Sequence, residues 1–272
     1  MYTISVVVPC FNQGEYLYDS IGSLLVQNIT SWECIIVDDG STDNTNKIAS
    51  EFVQKDDRIK YVYKKNGGLS LARNTGINLA SAEFILPLDA DDKIAPNYLS
   101  SALLIFSEQP DVKLVYGNAY RFGDENCFWD LGKYSYEKLL LENQIFCSAI
   151  FKKEDWIECG GYDESIRVGW EDWEFWINML SKEDIVYKID EIVFYYRIRK
   201  NSMLRETSHE KYLNVLRYIF HKHWDKYIDI FKDPLTAYSK VRQLENQQRK
   251  ISVSFSKKYF LKFKNYLTLK TF

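Results

Sequence analysis

The chain has 272 residues, a length that fits one large domain or one domain with an appendage. Its 46% hydrophobic content is enough for a packed core, and its net charge of −3 gives no basis for nucleic-acid binding. The five cysteines form no Cys-x-x-Cys pair, so we expect neither a disulfide framework nor a zinc site. A reducing cytoplasm suits such a chain, and no apolar run is long enough to span a membrane.

The first hundred residues alternate predicted strands and helices. Apolar runs predict four strands, at 4–8, 34–37, 59–63 and 83–88, and the first, second and fourth are expected to be buried. The spacing of apolar residues predicts three helices, at 16–27, 43–55 and 70–80. Ser41 or Thr42 is expected to cap the second helix. This alternation indicates an α/β fold with a mostly parallel central sheet flanked by helices.

The remainder of the chain is less regular. Further strands are predicted at 112–116, 185–189 and 192–198, with helices at 154–158 and 172–180. From about residue 207 the pattern becomes helical, with predicted helices at 208–231 and 236–250. We therefore predict a catalytic domain at 1–206 and a C-terminal helical region at 207–272.

The segment 249–272 has a distinct composition. It carries seven Lys or Arg residues, no Asp or Glu, and interleaved aromatic residues. Such a segment is interpreted either as a peripheral contact with an anionic membrane or as a helix packed on the rest of the protein. The first interpretation would place the protein on the cytoplasmic side, at the inner face of the cell membrane.

Three carboxylates, Asp89, Asp91 and Asp92, directly follow the apolar run at 84–88. Carboxylates crowded at a strand end repel one another and cost desolvation energy unless a cation neutralises them. Oxygen ligands at the mouth of a sheet suit Mn²⁺ or Mg²⁺, which usually complete their coordination shell with substrate phosphates. The alternative interpretation is a solvated acidic turn.

Six motifs follow one another between residues 3 and 205. They are Pro9-Cys10-Phe11-Asn12, Asp38-Asp39-Gly40-Ser41, Ala72-Arg73-Asn74-Thr75-Gly76, Asp89-Ala90-Asp91, Gly160-Gly161-Tyr162-Asp163-Glu164 and Glu171-Asp172. In this order they resemble the inverting family 2 glycosyltransferases with the GT-A fold. The resemblance implies that a hexose or N-acetylhexosamine moves from a nucleotide-sugar, with a UDP-sugar as the expected donor, to an acceptor hydroxyl. The implied acceptor is a saccharide or lipid-linked saccharide in surface-polysaccharide synthesis.

The resemblance also implies residue roles. Asp39 would hydrogen-bond the base, with Phe11 lying against it. Asp91 would be the main ligand of the metal, and Asp89 would bind the ribose or reach the metal through water. Asp172 would be the catalytic base, with Glu171 beside it. The expected donor-binding set is Pro9, Phe11, Asn12, Asp38, Asp39, Gly68, Arg73, Asp89, Ala90 and Arg199.

Chemical reasoning supports this division of the carboxylates. Transfer with inversion needs one carboxylate to take a proton from the acceptor hydroxyl as it attacks the sugar. The leaving diphosphate develops charge that a divalent cation can stabilise. Asp172 is predicted at a helix start, where the helix dipole favours its ionised form. The alternative is that Glu171 and Asp172 are ordinary first-turn acids.

Two further features have two interpretations each. Trp170 and Trp173 could form a platform for the acceptor sugar or could pack in the core. Arg199 stands where many family members carry a metal-binding His, and a guanidinium has no lone pair for a metal. Arg199 with Lys200 could instead hold the diphosphate, or it could be a solvated charge at a strand end.

Other classes of protein explain the chain less well. A receiver domain is much shorter, and it would leave Glu171 and Asp172 unexplained. A nucleotide-sugar pyrophosphorylase would open with a glycine-rich phosphate loop, and a dehydrogenase would carry a Gly-x-Gly-x-x-Gly motif after its first strand. A non-catalytic nucleotide-sugar-binding module stays open because of Arg199.

Overall fold

The computed structural model describes residues 2–200, 207–232, 239, 242 and 243. Within this part of the chain, nine strands form one sheet: β1 (Ile4–Cys10), β2 (Trp32–Asp38), β3 (Ile59–Tyr63), β4 (Phe84–Pro87), β5 (Lys93–Ile94), β6 (Val112–Gly123), β7 (Cys127–Trp129), β8 (Ile150–Lys152) and β9 (Ile185–Ile198). The α-helices of the same part are α1 (Leu17–Leu25), α2 (Thr45–Lys55), α3 (Leu69–Leu79), α4 (Tyr98–Glu108), α5 (Tyr136–Leu139), α6 (Lys153–Cys159), α7 (Glu171–Met179), α8 (His209–Lys222) and α9 (Trp224–Phe231). A short 3₁₀ helix at Gly14–Tyr16 precedes α1.

The first half of the sheet has the strand order β3-β2-β1-β4, and all its pairs are parallel. Every residue of β1 and β2 is buried, as expected for strands covered on both faces by helices. Helix α3 packs on β1 and β2, and Gly76 is the point of closest approach, where a Cβ atom would lie 2.3 Å from Val7 Cγ1. The four predicted strands and three predicted helices of this half are confirmed.

The second half of the sheet continues in the order β8-β6-β9-β5, with β7 also paired to β6. Strand β8 is antiparallel to both β4 and β6, whereas β6 and β9 run parallel. The two predicted strands at 185–189 and 192–198 are one strand, because Ile189 pairs with Gly117 and Ile192 pairs with Asn118 across an irregularity. The α/β fold with a mostly parallel sheet is confirmed.

The predicted cap of α2 is wrong. Its N-cap residue is Asn44, and Asp43 Oδ1 instead accepts a hydrogen bond of 3.0 Å from the Thr45 N–H. Ser41 and Thr42 both bind Asn12: the Asn12 N–H donates to Ser41 Oγ at 2.9 Å, and the Thr42 N–H donates to Asn12 Oδ1 at 2.8 Å. These residues therefore tie the loops after β1 and β2 together.

The C-terminal part divides differently from the prediction. The helix predicted at 208–231 is two helices, α8 and α9, separated at His223. The chain separates into two compact units, Met1–Ile219 and Phe220–Phe272, while the functional boundary at 206/207 stays a prediction. The segment 249–272 and nearly all of 236–250 lie outside the described residues. No helix in the described part has the length and apolar character needed to cross a bilayer.

Candidate active site

A cavity of about 600 Å³ opens at the carboxyl ends of β1, β2 and β4. Ligands of parallel sheets bind at this edge. Most of the predicted site residues line this cavity: Pro9, Phe11, Asp39, Gly68, Arg73, Asp89, Asp91, Trp170, Glu171, Asp172 and Arg199. The lining does not include Asn12, Asp38, Ala90 or Trp173.

Arg73 joins three parts of the site. Its side chain is fully buried in α3, with Nη1 placed 2.5 Å from Glu171 Oε1 and Nη2 placed 2.7 Å from Asp89 Oδ1. A buried guanidinium of this kind is stable because both neighbours carry the opposite charge. The pair of contacts fixes the start of α7 against the end of β4.

The carboxylates after β4 are only partly neutralised. Burial raises the pKa of Asp92 well above its ordinary value, and the charges of Asp91 and Asp89 raise it further. Burial also raises the pKa of Asp91, although the Arg199 guanidinium opposes the shift. Asp92 Oδ2 is buried and has no hydrogen-bond partner among the described residues. Such a cluster of oxygen atoms fits a hard divalent cation, which would offset the excess negative charge.

Cys147 lies beside this cluster. Ligand atoms of Asp89, Asp92 and Cys147 lie within 4.8 Å of one another, and the Cys147 thiol contacts Asp89 Oδ2 at 3.5 Å. Burial raises the pKa of the Cys147 thiol well above its ordinary value, so the thiol stays protonated. Because hard cations prefer oxygen ligands, the carboxylates rather than the thiol suit Mn²⁺ or Mg²⁺.

Two arginines from the end of β9 reach the same carboxylates. The backbone N–H of Arg197 donates to Asp92 Oδ1 at 2.8 Å. The side-chain Nε of Arg197 donates to the backbone carbonyl oxygen of Asp91 at 2.7 Å. Arg199 Nη2 lies 2.7 Å from Asp91 Oδ2. Sequence reasoning missed Arg197, because its contact with Asp92 depends on the pairing of β9 with β5 rather than on any local motif.

Asp172 lies in the first turn of α7 and lines the same cavity. Its Oδ1 accepts a hydrogen bond from the Trp173 N–H at 2.7 Å, and its Oδ2 accepts one from Asn143 Nδ2 at 3.1 Å. Burial raises the pKa of Asp172 to about 7; the Glu171 charge adds to the shift, and the Arg73 charge opposes it. A carboxylate with this pKa can exchange a proton near neutral pH.

The two tryptophans have different surroundings. Trp170 lines the cavity in a left-handed backbone conformation with φ 64°, and its ring centroid lies 4.8 Å from that of Tyr212. Trp173 is buried, and its indole N–H donates to the Leu139 carbonyl at 2.6 Å. Trp173 therefore supports the cavity wall from behind.

The other end of the cavity contains Asp39 and Phe11. Asp39 accepts hydrogen bonds from the backbone N–H groups of Gly67 and Gly68, at 2.9 and 2.8 Å, and pairs with Lys64. Phe11 is 48% exposed, so one ring face is accessible from the cavity. Asp38 is buried, where it accepts from the Ser41 N–H and the Tyr61 hydroxyl, both at 2.7 Å. Asp38 therefore shapes the loop below the cavity.

Several lining residues were not predicted. They include Trp129, Leu131, Asn143, Cys147, Arg167, Tyr196 and Arg197. Many of them come from the stretch 117–147, whose sequence has no clear periodicity. Asn143 could not be found from sequence, because a loop residue has no periodic pattern and its partner Asp172 is 29 residues away.

Known proteins resemble this chain over most of its length. Residues 5–213 match the family described as glycosyl transferase family 2. Glycosyltransferase GlyA of Streptococcus pneumoniae is 33% identical over 233 residues, which cover 78% of this chain and 33% of GlyA. The putative teichuronic acid biosynthesis glycosyltransferase TuaG of Bacillus subtilis is 29% identical over 209 residues, which cover 74% of this chain and 81% of TuaG. The chain spans less than half the length of GlyA and of several other curated relatives.

Solved structures share the fold. S. aureus TarS 1-349 in complex with UDP-GlcNAc has a TM-score of 0.68 at 18% identity, and the match covers 84% of this chain and 73% of that one. The mannosyltransferase PcManGT from Pyrobaculum calidifontis, in complex with GDP-Man and Mn²⁺, has a TM-score of 0.60 at 16% identity, with coverages of 100% and 84%. The predicted GT-A fold is confirmed. The match over residues 5–213 shows that this chain belongs to glycosyl transferase family 2.

Proposed function

We propose that this chain is an inverting glycosyltransferase that moves a hexose or N-acetylhexosamine from a nucleotide-sugar to an acceptor hydroxyl. The observation that carries the proposal is Asp172, a carboxylate with a pKa of about 7 that lines the same cavity as the strand-end carboxylates Asp89 and Asp91. A base and a charge-binding group in one cavity suit a single displacement with inversion.

Asp172 is a better base than its neighbour Glu171. Glu171 is held by Arg73 at 2.5 Å, so its carboxylate is committed to a buried ion pair. The side-chain partner of Asp172 is the neutral amide of Asn143. In the proposed reaction, Asp172 accepts the proton of the acceptor hydroxyl while that oxygen attacks C1 of the sugar and the nucleoside diphosphate leaves.

Asp89 and Asp91 would hold Mn²⁺ or Mg²⁺ at the end of β4. When bound, such an ion would stabilise the negative charge of the leaving diphosphate as a Lewis acid. The buried Asp92 Oδ2, which has no partner among the described residues, and its close neighbour Asp89 support a cation at this place. That PcManGT was solved with GDP-Man and Mn²⁺ supports the choice of ion.

We propose a UDP-sugar as the donor, with its base at Phe11 and Asp39. The complex of TarS with UDP-GlcNAc supports this choice. The acceptor would lie against Trp170. The similarity to TuaG, a putative teichuronic acid biosynthesis glycosyltransferase, supports a cell-surface saccharide as the acceptor. A lipid-linked acceptor would place the reaction at the inner face of the membrane, which the basic segment 249–272 would contact.

Donor turnover tests this proposal. The protein is incubated with UDP-, dTDP- and GDP-sugars in Mn²⁺, Mg²⁺ or EDTA, and nucleoside diphosphate release is measured. We expect slow hydrolysis of one donor, lost with EDTA and in Asp91→Asn but retained in Asp57→Asn, whose side chain is exposed outside the cavity. A donor that binds but is not hydrolysed, with or without saccharide acceptors, would favour the non-catalytic binding module. If none of the donors binds, the proposal is wrong.

A further inference from the structure

We propose that Arg199 is a resident counter-ion of Asp91, which a divalent metal must displace and which then binds the diphosphate of the donor. The inference rests on the proposed function, because it concerns the same donor site. It makes Arg199 a positioning residue that couples metal binding to nucleotide binding.

The first observation is the incomplete use of the Arg199 side chain. Its Nη2 pairs with Asp91 Oδ2 at 2.7 Å, whereas its buried Nε has no hydrogen-bond partner among the described residues. A buried donor left unpaired is unfavourable, because it has given up its hydrogen bond to water. The arrangement with Asp91 is therefore not the one that satisfies this guanidinium best.

The second observation is the contrast with Arg197, two residues earlier. The Arg197 guanidinium has two polar anchors, the carbonyl oxygen of Asp91 and Asp19, and its carbon lies 4.4 Å from the ring centroid of Phe122; the backbone N–H of Arg197 also donates to Asp92. Arg199, by contrast, has Asp91 as its ion-pair partner within the described part of the chain, and its guanidinium carbon lies 4.9 Å from the ring centroid of Tyr16. One arginine is fixed at the base of the site, while the other can exchange partners.

The third observation is competition for the same oxygen. Both Asp91 and Arg199 line the cavity, and Arg199 Nη2 lies 2.7 Å from Asp91 Oδ2, so a cation that binds this oxygen meets the guanidinium there. A divalent cation and a guanidinium within contact distance of one oxygen atom would repel each other strongly in a partly buried site. Binding of a metal to this oxygen therefore requires that Arg199 leave it.

The released guanidinium has a suitable ligand in a diphosphate. Its Nε and Nη2 atoms form the edge that donates two parallel hydrogen bonds to an oxyanion. A phosphate group offers two oxygens to this edge. Asp91 pairs with the Nη2 donor of Arg199 and leaves the Nε donor unused. Metal and nucleotide would then each favour the binding of the other. Each stabilises the state in which the ion pair between Arg199 and Asp91 is broken.

Metal binding without nucleotide tests the competition. Mn²⁺ is titrated calorimetrically into the wild type and Arg199→Gln. We expect the variant to bind Mn²⁺ at least tenfold more tightly, because its Asp91 has no competing cation. The control is Arg167→Gln, which also removes one positive charge from the cavity lining. Arg167 has no described contact with the carboxylates that follow β4. We expect the control to change Mn²⁺ affinity less than threefold.

Nucleotide coupling tests the transfer to the diphosphate. Saturating UDP should tighten Mn²⁺ binding at least tenfold in the wild type and less than threefold in Arg199→Gln. Arg199→Lys keeps the charge but loses the paired donors, so its Mn²⁺ affinity should match the wild type while its coupling falls. Arg199→Lys also keeps the test decisive if Arg199→Gln does not fold, as judged by thermal unfolding.

The results separate this inference from the proposed function. Equal Mn²⁺ affinity and equal coupling in the wild type and both variants would overturn the role of Arg199, while normal donor turnover would leave the proposed function intact. Absence of any Mn²⁺ or UDP binding in the wild type would overturn both.

Discussion

At the scale of single residues, the site depends on two adjacent carboxylates in different surroundings. Glu171 is paired with Arg73, whereas Asp172 is bound by Asn143 and the backbone. Two neighbouring acids with different hydrogen-bond and charge partners can have different roles in a reaction. In the proposed mechanism Glu171 orders the site and Asp172 exchanges the proton.

The pKa of Asp172 predicts the pH dependence of the reaction. The base must be deprotonated, and burial places its pKa at about 7, so kcat/KM should fall as pH decreases through this value and level off above it. The Asn143 hydrogen bond lowers this pKa. Asn143→Ala should therefore move the midpoint of the pH profile to a higher pH, whereas Asn126→Ala, on the exposed surface, should leave it in place. A midpoint that stays or moves to lower pH in Asn143→Ala would contradict the assignment.

Removal of Arg73 predicts a loss of stability. Arg73→Met would leave Asp89 and Glu171 without their shared cation, and breaking a buried pair in this way costs about 3–5 kcal/mol. Urea unfolding of the variant measures the loss. The control is Arg58→Met, whose pair with Asp56 is partly exposed, at 24% and 18% of the two side chains, and which should lose less stability than Arg73→Met. Equal losses in the two variants would contradict the bracing role of Arg73.

At the scale of secondary structure, the cavity depends on how closely α3 approaches the sheet. Gly76 allows the helix to lie on β1 and β2, because a Cβ at this position would be 2.3 Å from Val7 and 3.0 Å from Val37. Arg73 is carried one turn earlier on the same helix, so its position at the end of β4 follows from this contact.

A pair of glycine substitutions tests the approach of α3. Gly76→Ala should destabilise the protein by about 1–3 kcal/mol, the usual cost of overpacking a core. Gly22→Ala, in α1, should be neutral or stabilising by up to about 1 kcal/mol, because its added methyl group meets no atom within 4 Å. The midpoints of urea unfolding compare the two. A Gly76→Ala protein as stable as Gly22→Ala would show that α3 does not limit the packing.

Sequence patterns predicted the strands and helices of the first half of the sheet but missed α4. Strands β1 and β2 contain continuous apolar runs and are buried on both faces, which made them clear. Helix α4 was missed, although its buried residues 98, 99, 102, 105 and 106 follow helical spacing after Pro96. That signal was present in the sequence and could have been used.

The contacts of the site could be predicted only in part. Each carboxylate was found because it lies in a local motif at a strand or helix end. The partners Asn143 and Arg197 were not found, because they approach Asp172 and Asp92 only after the sheet has formed. Trp173 had two interpretations, an acceptor platform or core packing; it is buried in α7, where its indole N–H donates to the Leu139 carbonyl.

At the scale of the whole molecule, the cavity with the proposed catalytic residues is lined by residues of the unit Met1–Ile219. A chain ending at residue 232 keeps every element from β1 to α9 and removes the basic segment. We expect this shorter chain to unfold cooperatively and to bind UDP within threefold of the full chain. It should not cosediment with anionic vesicles, whereas the full chain should, and neither should bind neutral vesicles. Equal binding of both chains to anionic vesicles would contradict a membrane role for 249–272.

The measurement that tests the central claim most directly is transfer by Asp172→Asn. Sugar transfer and UDP affinity are measured for the wild type, for Asp172→Asn and for Asp57→Asn as the surface control. We predict that Asp172→Asn lowers kcat by about 10²–10⁴-fold, the usual contribution of a positioned base, while UDP affinity changes less than threefold. An Asp172→Asn protein with wild-type kcat would show that this carboxylate is not the base and would contradict the account.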